Sequence, residues 1–177
     1  MFFYHGTNEV ISNIDFSKSR FRTDFGRGFY LSSKLDTAKE WAVGKSGFSG
    51  TATVMRYDIS DMVYNDTTLN IKRFDEPIIE WLDFIKKNRR RDISKENTPE
   101  PRHSFDVIIG PIANDKVADI VDMYCKGRIN AEVAINNVKA LPNVIQISFH
   151  SSNAFKHIKS VSYSQLKKSI WCKWRIV

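Results

Sequence analysis

Asp24-Phe25-Gly26-Arg27-Gly28-Phe29-Tyr30-Leu31-Ser32 is the stretch on which the reading of this chain turns. Two glycines precede a pair of aromatics. Glycine permits tight backbone, and aromatic rings supply faces on which a flat ring can stack. The pattern predicts a strand over Phe25–Leu31, entered through Gly26 and Gly28. A glycine-bulged core strand and a ligand-facing strand both fit it. It is not a phosphate loop, since no Gly-Lys-Ser or Gly-Lys-Thr follows, and it lacks the dinucleotide fingerprint GxGxxG.

On either side of this stretch the chain alternates strand and helix without regular βαβ order. Met1–His5 reads as a short buried strand and Asp36–Val43 as a helix with Asp36 as its N-cap. Thr51–Ile59 is β-branched and partly alternating, which predicts a strand. Asp75 to about Arg90 is the strongest helix, with Pro77 in its first turn and Ile78, Trp81, Leu82 and Ile85 at helical spacing. Asp92–Ser104 is polar, carries Pro99 and Pro101, and reads as a mobile loop. Val107–Ile109 is a strand stopped by Gly110-Pro111; Asp115–Tyr124 and Ala131–Ala140 are helices, the first ended by Gly127. Val144–Phe149 is a strand with Val144, Gln146 and Ser148 on one face and Ile145, Ile147 and Phe149 on the other. Ser151 is placed as the cap of a short helix to Ile158.

The whole is expected to be one α+β domain over residues 1–177, because both sides of the 92–104 loop contribute strands. Ile and Val number 31 against 6 Leu, which favours sheet. No apolar run approaches the ~18 residues of a membrane span. The first five residues lack the basic, then apolar, pattern of a signal peptide. Cys125 and Cys172 make no disulfide framework and no CxxC metal site. A cytoplasmic protein with free thiols and no membrane contact is therefore expected.

The net charge of +7 favours an anionic contact: nucleic acid, a dinucleotide or an acidic partner. The one dense run, Lys86-Lys87-Asn88-Arg89-Arg90-Arg91, ends the strongest helix. There cations complement the helix dipole, so a solvated helix end and a nucleic-acid site are both open. His5, His103, His150 and His157 show no metal-ligand spacing, and no serine or cysteine nucleophile has a partnered motif.

Three separated pieces carry chemistry. Tyr4-His5-Gly6-Thr7 sets a histidine at a strand end beside a glycine that a ligand can approach. Tyr30, and Trp41 eleven residues on, could sandwich a heteroaromatic ring, although Trp41 could equally face the core. Gln146 is polar in the middle of an apolar strand, which places it on a solvated face or in a site.

Together, Tyr4-His5-Gly6-Thr7, Phe25–Ser32, Ala38 and Trp41 resemble the NAD-binding pattern of the ADP-ribosyltransferase superfamily, in its poly(ADP-ribose) polymerase and diphtheria-toxin branch. The resemblance covers about residues 4–42 and again 144–150. The whole chain is also similar to an uncharacterised bacterial family usually placed in this superfamily and thought to include toxins of toxin–antitoxin pairs. The resemblance implies a split mixed or antiparallel sheet with flanking helices, NAD as substrate, a macromolecular acceptor (protein or nucleic acid) and an antitoxin partner. It implies that His5 bonds a ribose hydroxyl, that the Gly6 backbone holds the nicotinamide carboxamide, and that Thr7 lies beside the adenosine ribose. Tyr30 and Trp41 would flank the nicotinamide. Ala38 stands where many members have a carboxamide-binding serine. Gln146 stands where the catalytic glutamate is expected.

Glutamine accepts the same hydrogen bond but is neutral and is no base. Cleavage of the nicotinamide–ribose bond builds positive charge on the sugar, so the change predicts a slow enzyme, by about 10²–10³. Glu132 is the nearest acid upstream of Gln146, on a helix. Asp106 and Asp115 are open to two readings, as the acceptor side or as strand-end and cap residues. Two rivals remain: a non-catalytic module binding NAD or ADP-ribose on the same fold, and a plain nucleic-acid-binding protein.

Overall fold

Thr53–Ile59 shows why this chain is built on sheet. Its β-branched and aromatic side chains pack on both faces of a pleat, and all but Arg56 and Asp58 are buried. The structure, a computed structural model, describes residues 1–47, 50–89, 103–113, 115–167, 170–171 and 175–176. Seven strands form a mixed sheet: β1 (Phe2–Thr7), β2 (Phe29–Ser32), β3 (Thr53–Ile59), β4 (Ile71–Arg73), β5 (Val107–Pro111), β6 (Ile145–Phe149) and β7 (Ile158–Lys167). Their order is β4-β5-β6-β2-β1-β3-β7, and two-residue strands β8 (Ile170–Trp171) and β9 (Arg175–Ile176) pair with β7. Among the described residues only β4 and β5 run parallel; the other pairs are antiparallel. Strands from both sides of the 92–104 segment share the sheet.

One face is covered by turns and loops. There Phe3, Leu31, Met55, Tyr57, Ile109, Ile147 and Phe149 pack with Val63 and Ala154 of two 3-10 turns and with Ile11, Ile14 and Phe16 of the segment after β1. The other face carries the helices in two groups. Helix α1 (Leu35–Ser46) lies on β1 and β3 through Ala38, Ala42, Ala52 and Val54. Helices α2 (Ile79–Arg89), α3 (Asp115–Cys125) and α4 (Ala131–Lys139) enclose a second core with Phe25, Phe74, Trp81, Leu82, Ile85, Ile108 and Val121. Among the described residues no helix is long and apolar enough to cross a membrane.

The sheet is not evenly joined. Strand β1 pairs with β3 along its whole length, from Phe2 opposite Asp58 to Thr7 opposite Thr53. With β2 it meets only at Tyr4 opposite Ser32. Beyond that point His5, Gly6 and Thr7 diverge from β2.

Several expectations are corrected. The Phe25–Leu31 strand starts only at Phe29; the preceding residues form a turn closed by Gly26 N–H to the Thr23 carbonyl. The N-cap of α1 is Lys34, not Asp36, which falls in the first turn, and Lys34 N–H is held by Ser32 Oγ. Helix α2 begins at Ile79, after Pro77 rather than around it. Gly110 and Pro111 do not stop β5 but belong to it, since a proline at a strand end still offers its carbonyl. The 151–158 segment is a 3-10 turn, Ser152–His157, and Ser151 caps it without a side-chain bond. Strands β4 and β7 were not foreseen. The alternation read on β6 holds, with Ile147 and Phe149 in the loop-side core and Gln146 and Ser148 turned to the helix side. The 92–102 part of the expected loop, Arg90 and Arg91 of the basic run, and Cys172 lie outside the described residues.

Candidate functional site

Where β1 parts from β2, a cleft of about 730 Å³ opens between the sheet, α1 and the 8–24 segment. That size suits a small-molecule ligand. His5, Gly6, Thr7, Tyr30, Ala38, Trp41 and Gln146, drawn from all three pieces of sequence, line it together.

His5 spans the split. Its ring stacks on Phe29 with centroids 4.7 Å apart, and its Nδ1 lies 2.7 Å from the Tyr30 carbonyl. A carbonyl only accepts, so Nδ1 carries the proton and Nε2 is left as an acceptor, 3.4 Å from Lys45 Nζ. Burial, followed by the Lys45 charge, lowers the His5 pKa to about 4 against the carbonyl's opposing pull. The ring is neutral near pH 7 and can accept a hydroxyl.

Gly6 has a steric reason. A Cβ there would lie 2.1 Å from the Ala38 carbonyl, 2.6 Å from Ala42 N and 2.8 Å from Trp41 Cβ. The missing side chain lets α1 rest on β1. Ala38, 2% exposed, is part of the same close contact. Thr7 is buried, and its Oγ1 accepts from Glu9 N–H as the chain leaves the strand. The sheet-side positions of α1 are thus taken by alanines, and Trp41 is turned away from the core, 47% exposed, with the Arg20 guanidinium 5.6 Å from its ring centroid. Its reading as a core residue is excluded.

Tyr30 is held rigidly. Its hydroxyl donates to the Gly26 carbonyl, accepts from Phe25 N–H at 3.0 Å and lies 2.8 Å from Thr23 Oγ1. The glycine-rich turn, for which a core role and a ligand-facing role were both open in sequence, is therefore tied down by the tyrosine. Gly28 makes room for His150, whose ring atoms would lie 2.6 Å from a Cβ.

Gln146 is 5% exposed and belongs to a network that the sequence did not suggest. Its Nε2 donates to Asp24 Oδ2 at 3.1 Å and to the Pro111 carbonyl at 3.3 Å. Asp24 also accepts from Ala113 N–H at 3.1 Å and from Arg89 Nε at 3.0 Å. Arg89 pairs with that carboxylate and donates to the Ala113 carbonyl at 2.9 Å. A flipped amide would set an oxygen against two acceptors, so the network fixes the amide orientation. Among the described residues Gln146 Oε1 accepts no hydrogen bond, and it is not sealed from solvent. It is left to the cleft.

Asp24 is the functional candidate that sequence reasoning missed. The only available signal was an acid just before the glycine turn. Within the basic run Lys87 is exposed, as a solvated helix end would have it, but Arg89 departs from that reading: it turns onto Asp24, with its side chain 25% exposed. Asp106 is a strand-end residue, accepting from Asn70 N–H at 2.8 Å and from Ser151 Oγ, and it does not line the cleft. Glu132 is exposed on α4, away from the cleft. The side chain of Asp115 lies outside the described residues. Among the described residues no three His, Cys, Asp or Glu side chains gather as a metal site would require.

Residues 1–160 match the family described as "Protein of unknown function (DUF3990)". No curated protein and no solved structure matches the chain significantly.

Proposed function

We propose that this chain, which belongs to the DUF3990 family, is an NAD-dependent ADP-ribosyltransferase that moves ADP-ribose to a macromolecular acceptor and releases nicotinamide. The observation that carries the proposal is the convergence of His5, Tyr30, Trp41 and Gln146 on one cleft at the point where the sheet splits. That geometry supports the ADP-ribosyltransferase-like version of the fold. A cytoplasmic toxin with an antitoxin partner is the biological setting we infer from the resemblance.

In this reading His5 Nε2 accepts a ribose hydroxyl, the Gly6 backbone holds the carboxamide, and Thr7 lies by the adenosine ribose. The nicotinamide lies between the rigid Tyr30 and the exposed Trp41. The C–N glycosidic bond breaks, and its electron pair leaves with nicotinamide. The sugar carries oxocarbenium character until the acceptor's nucleophile bonds to the same carbon and gives up its proton. Gln146 Oε1 orients a ribose hydroxyl but cannot take that proton. Asp24 brings a negative charge one hydrogen bond away, already matched by Arg89. A slow reaction, or one whose acceptor supplies the base, follows.

Calorimetric titration of NAD into the wild type and into His5→Ala tests the proposal. Saturable binding, weakened about tenfold in the variant, is expected from loss of a buried hydrogen bond. A folded wild type that takes no NAD ends it. A second reading, a non-catalytic NAD- or ADP-ribose-binding module, is favoured by the neutral Gln146 and the neutralised Asp24. Nicotinamide release separates the two. Gln146→Glu alone would set two carboxylates in contact. We therefore expect release to rise in the Asp24→Asn, Gln146→Glu double variant and not in the single one.

A further inference from the structure

Lys45 stands in the last turn of α1, one turn beyond Trp41, and lines the cleft half-buried. Its ammonium lies 3.4 Å from His5 Nε2, an uncharged partner. Among the described residues no carboxylate pairs with it. The acid that acts on it from nearby, Glu9, is itself bonded to Lys18 at 3.4 Å. Arg20, whose guanidinium lies over the Trp41 ring, repels it, and likewise has no acidic partner among the described residues. Burial, and then Arg20, hold the Lys45 pKa down to about 8. A cation in a helix's last turn complements the dipole, but a solvated side chain would do that equally well. Turning it inward, beside a second cation and without a counter-ion, is unfavourable until an anion arrives.

We propose that Lys45 and Arg20 form a phosphate-binding subsite at the mouth of the cleft, which takes the phosphates of a nucleotide whose ribose reaches His5 and whose ring lies on Trp41. The inference rests on the nucleotide reading of the cleft, and it adds the charged contacts which that reading lacked. Three features of one ligand then meet three side-chain chemistries in a row: ring on indole, hydroxyl on neutral imidazole, phosphate on paired cations.

Adenosine, ADP, NAD and inorganic pyrophosphate are titrated by calorimetry, at one low salt concentration, into the wild type, Lys45→Gln and Arg20→Gln. Arg20 is exposed, so its variant folds even if the helix variant does not. ADP should bind the wild type about tenfold or more tighter than adenosine, as charge-assisted bonds to phosphate require. Either variant should bring the ratio of ADP to adenosine affinity most of the way to one. Equal binding of ADP and adenosine to the wild type, or an unaltered preference in the variants, overturns the subsite. If ADP and pyrophosphate bind through Lys45 while NAD does not, the subsite stands and the NAD reading falls. If NAD binds with the same affinity to all three proteins, the reverse holds. No binding of any of the four overturns both.

Discussion

Two tryptophans on two helices of the same sheet face have opposite fates. Trp81 of α2 is fully buried and donates from Nε1 to the Pro111 carbonyl at 3.2 Å. Trp41 of α1 is nearly half exposed under Arg20. The difference lies in what each helix sets against the strands. Helix α2 meets β5 through large apolar side chains, which hold it off and fill the gap. Helix α1 meets β1 through alanines and Gly6, so it lies too close for a large ring to fit beneath it. Small residues on one side create a platform, and large residues on the other create a core. The cleft opens on the platform side.

The largest expected effect breaks the core side. Trp81→Ala should cost about 4 kcal/mol, since it leaves a cavity and takes one of two side-chain donors from the Pro111 carbonyl, as read by denaturant unfolding. The second attacks the platform by adding one methyl. Gly6→Ala pushes a carbon into the α1 backbone and should cost about 3 kcal/mol in the same experiment. A loss under about 1 kcal/mol would mean that α1 can lift off β1, and the contrast between the two sides would collapse.

Acid probes both sides at once. His5 on the platform and His150 beneath the glycine turn have folded pKa values lowered to about 4, chiefly by burial. Between about pH 6.5 and 4 the unfolded chain binds protons there that the folded chain does not. Each histidine's contribution is therefore complete above 6.5 and is lost as pH falls toward 4, on the order of 2 kcal/mol apiece. Stability measured against pH should fall through that window, and His150→Gln should make the fall shallower. An unchanged slope would show that His150 is not the group refusing the proton. The smallest stability effect sharpens the comparison most. Trp41→Ala should change unfolding free energy by less than about 0.5 kcal/mol. On the proposed function it should still weaken NAD binding severalfold. A large stability loss would return Trp41 to the core.

Much of this was legible in the sequence where the local pattern is strong. The alternation over 144–149 correctly assigned Gln146 and Ser148 to one face. Helical spacing found α2, α3 and α4 within a few residues. The long strand β7 was not legible, because Ile158-Lys159-Ser160-Val161-Ser162-Tyr163-Ser164-Gln165 alternates with serines, of which Ser162 and Ser164 are buried in the folded sheet, where they pair with β3. Strand β4 is three residues held by β5, with no pattern of its own. The members of the site could be named from the sequence, but the Asp24–Gln146–Arg89 network could not. Its members are 122 and 65 residues from Asp24 along the chain, and only the sheet brings them together.

Strand β7 also bears on how pieces of this chain behave. The family match ends at residue 160, three residues into a strand that pairs with β3 from Ile59 opposite Ile158 to Thr53 opposite Gln165. A fragment cut at that boundary would strip the partner from β3 and leave its backbone donors and acceptors, flanked by Val54, Met55 and Tyr57, as an open sheet edge. Such an edge templates association with other chains. The recognisable family unit is therefore shorter than the unit that covers β3, and expression of residues 1–160 alone should yield more aggregate than the 177-residue chain.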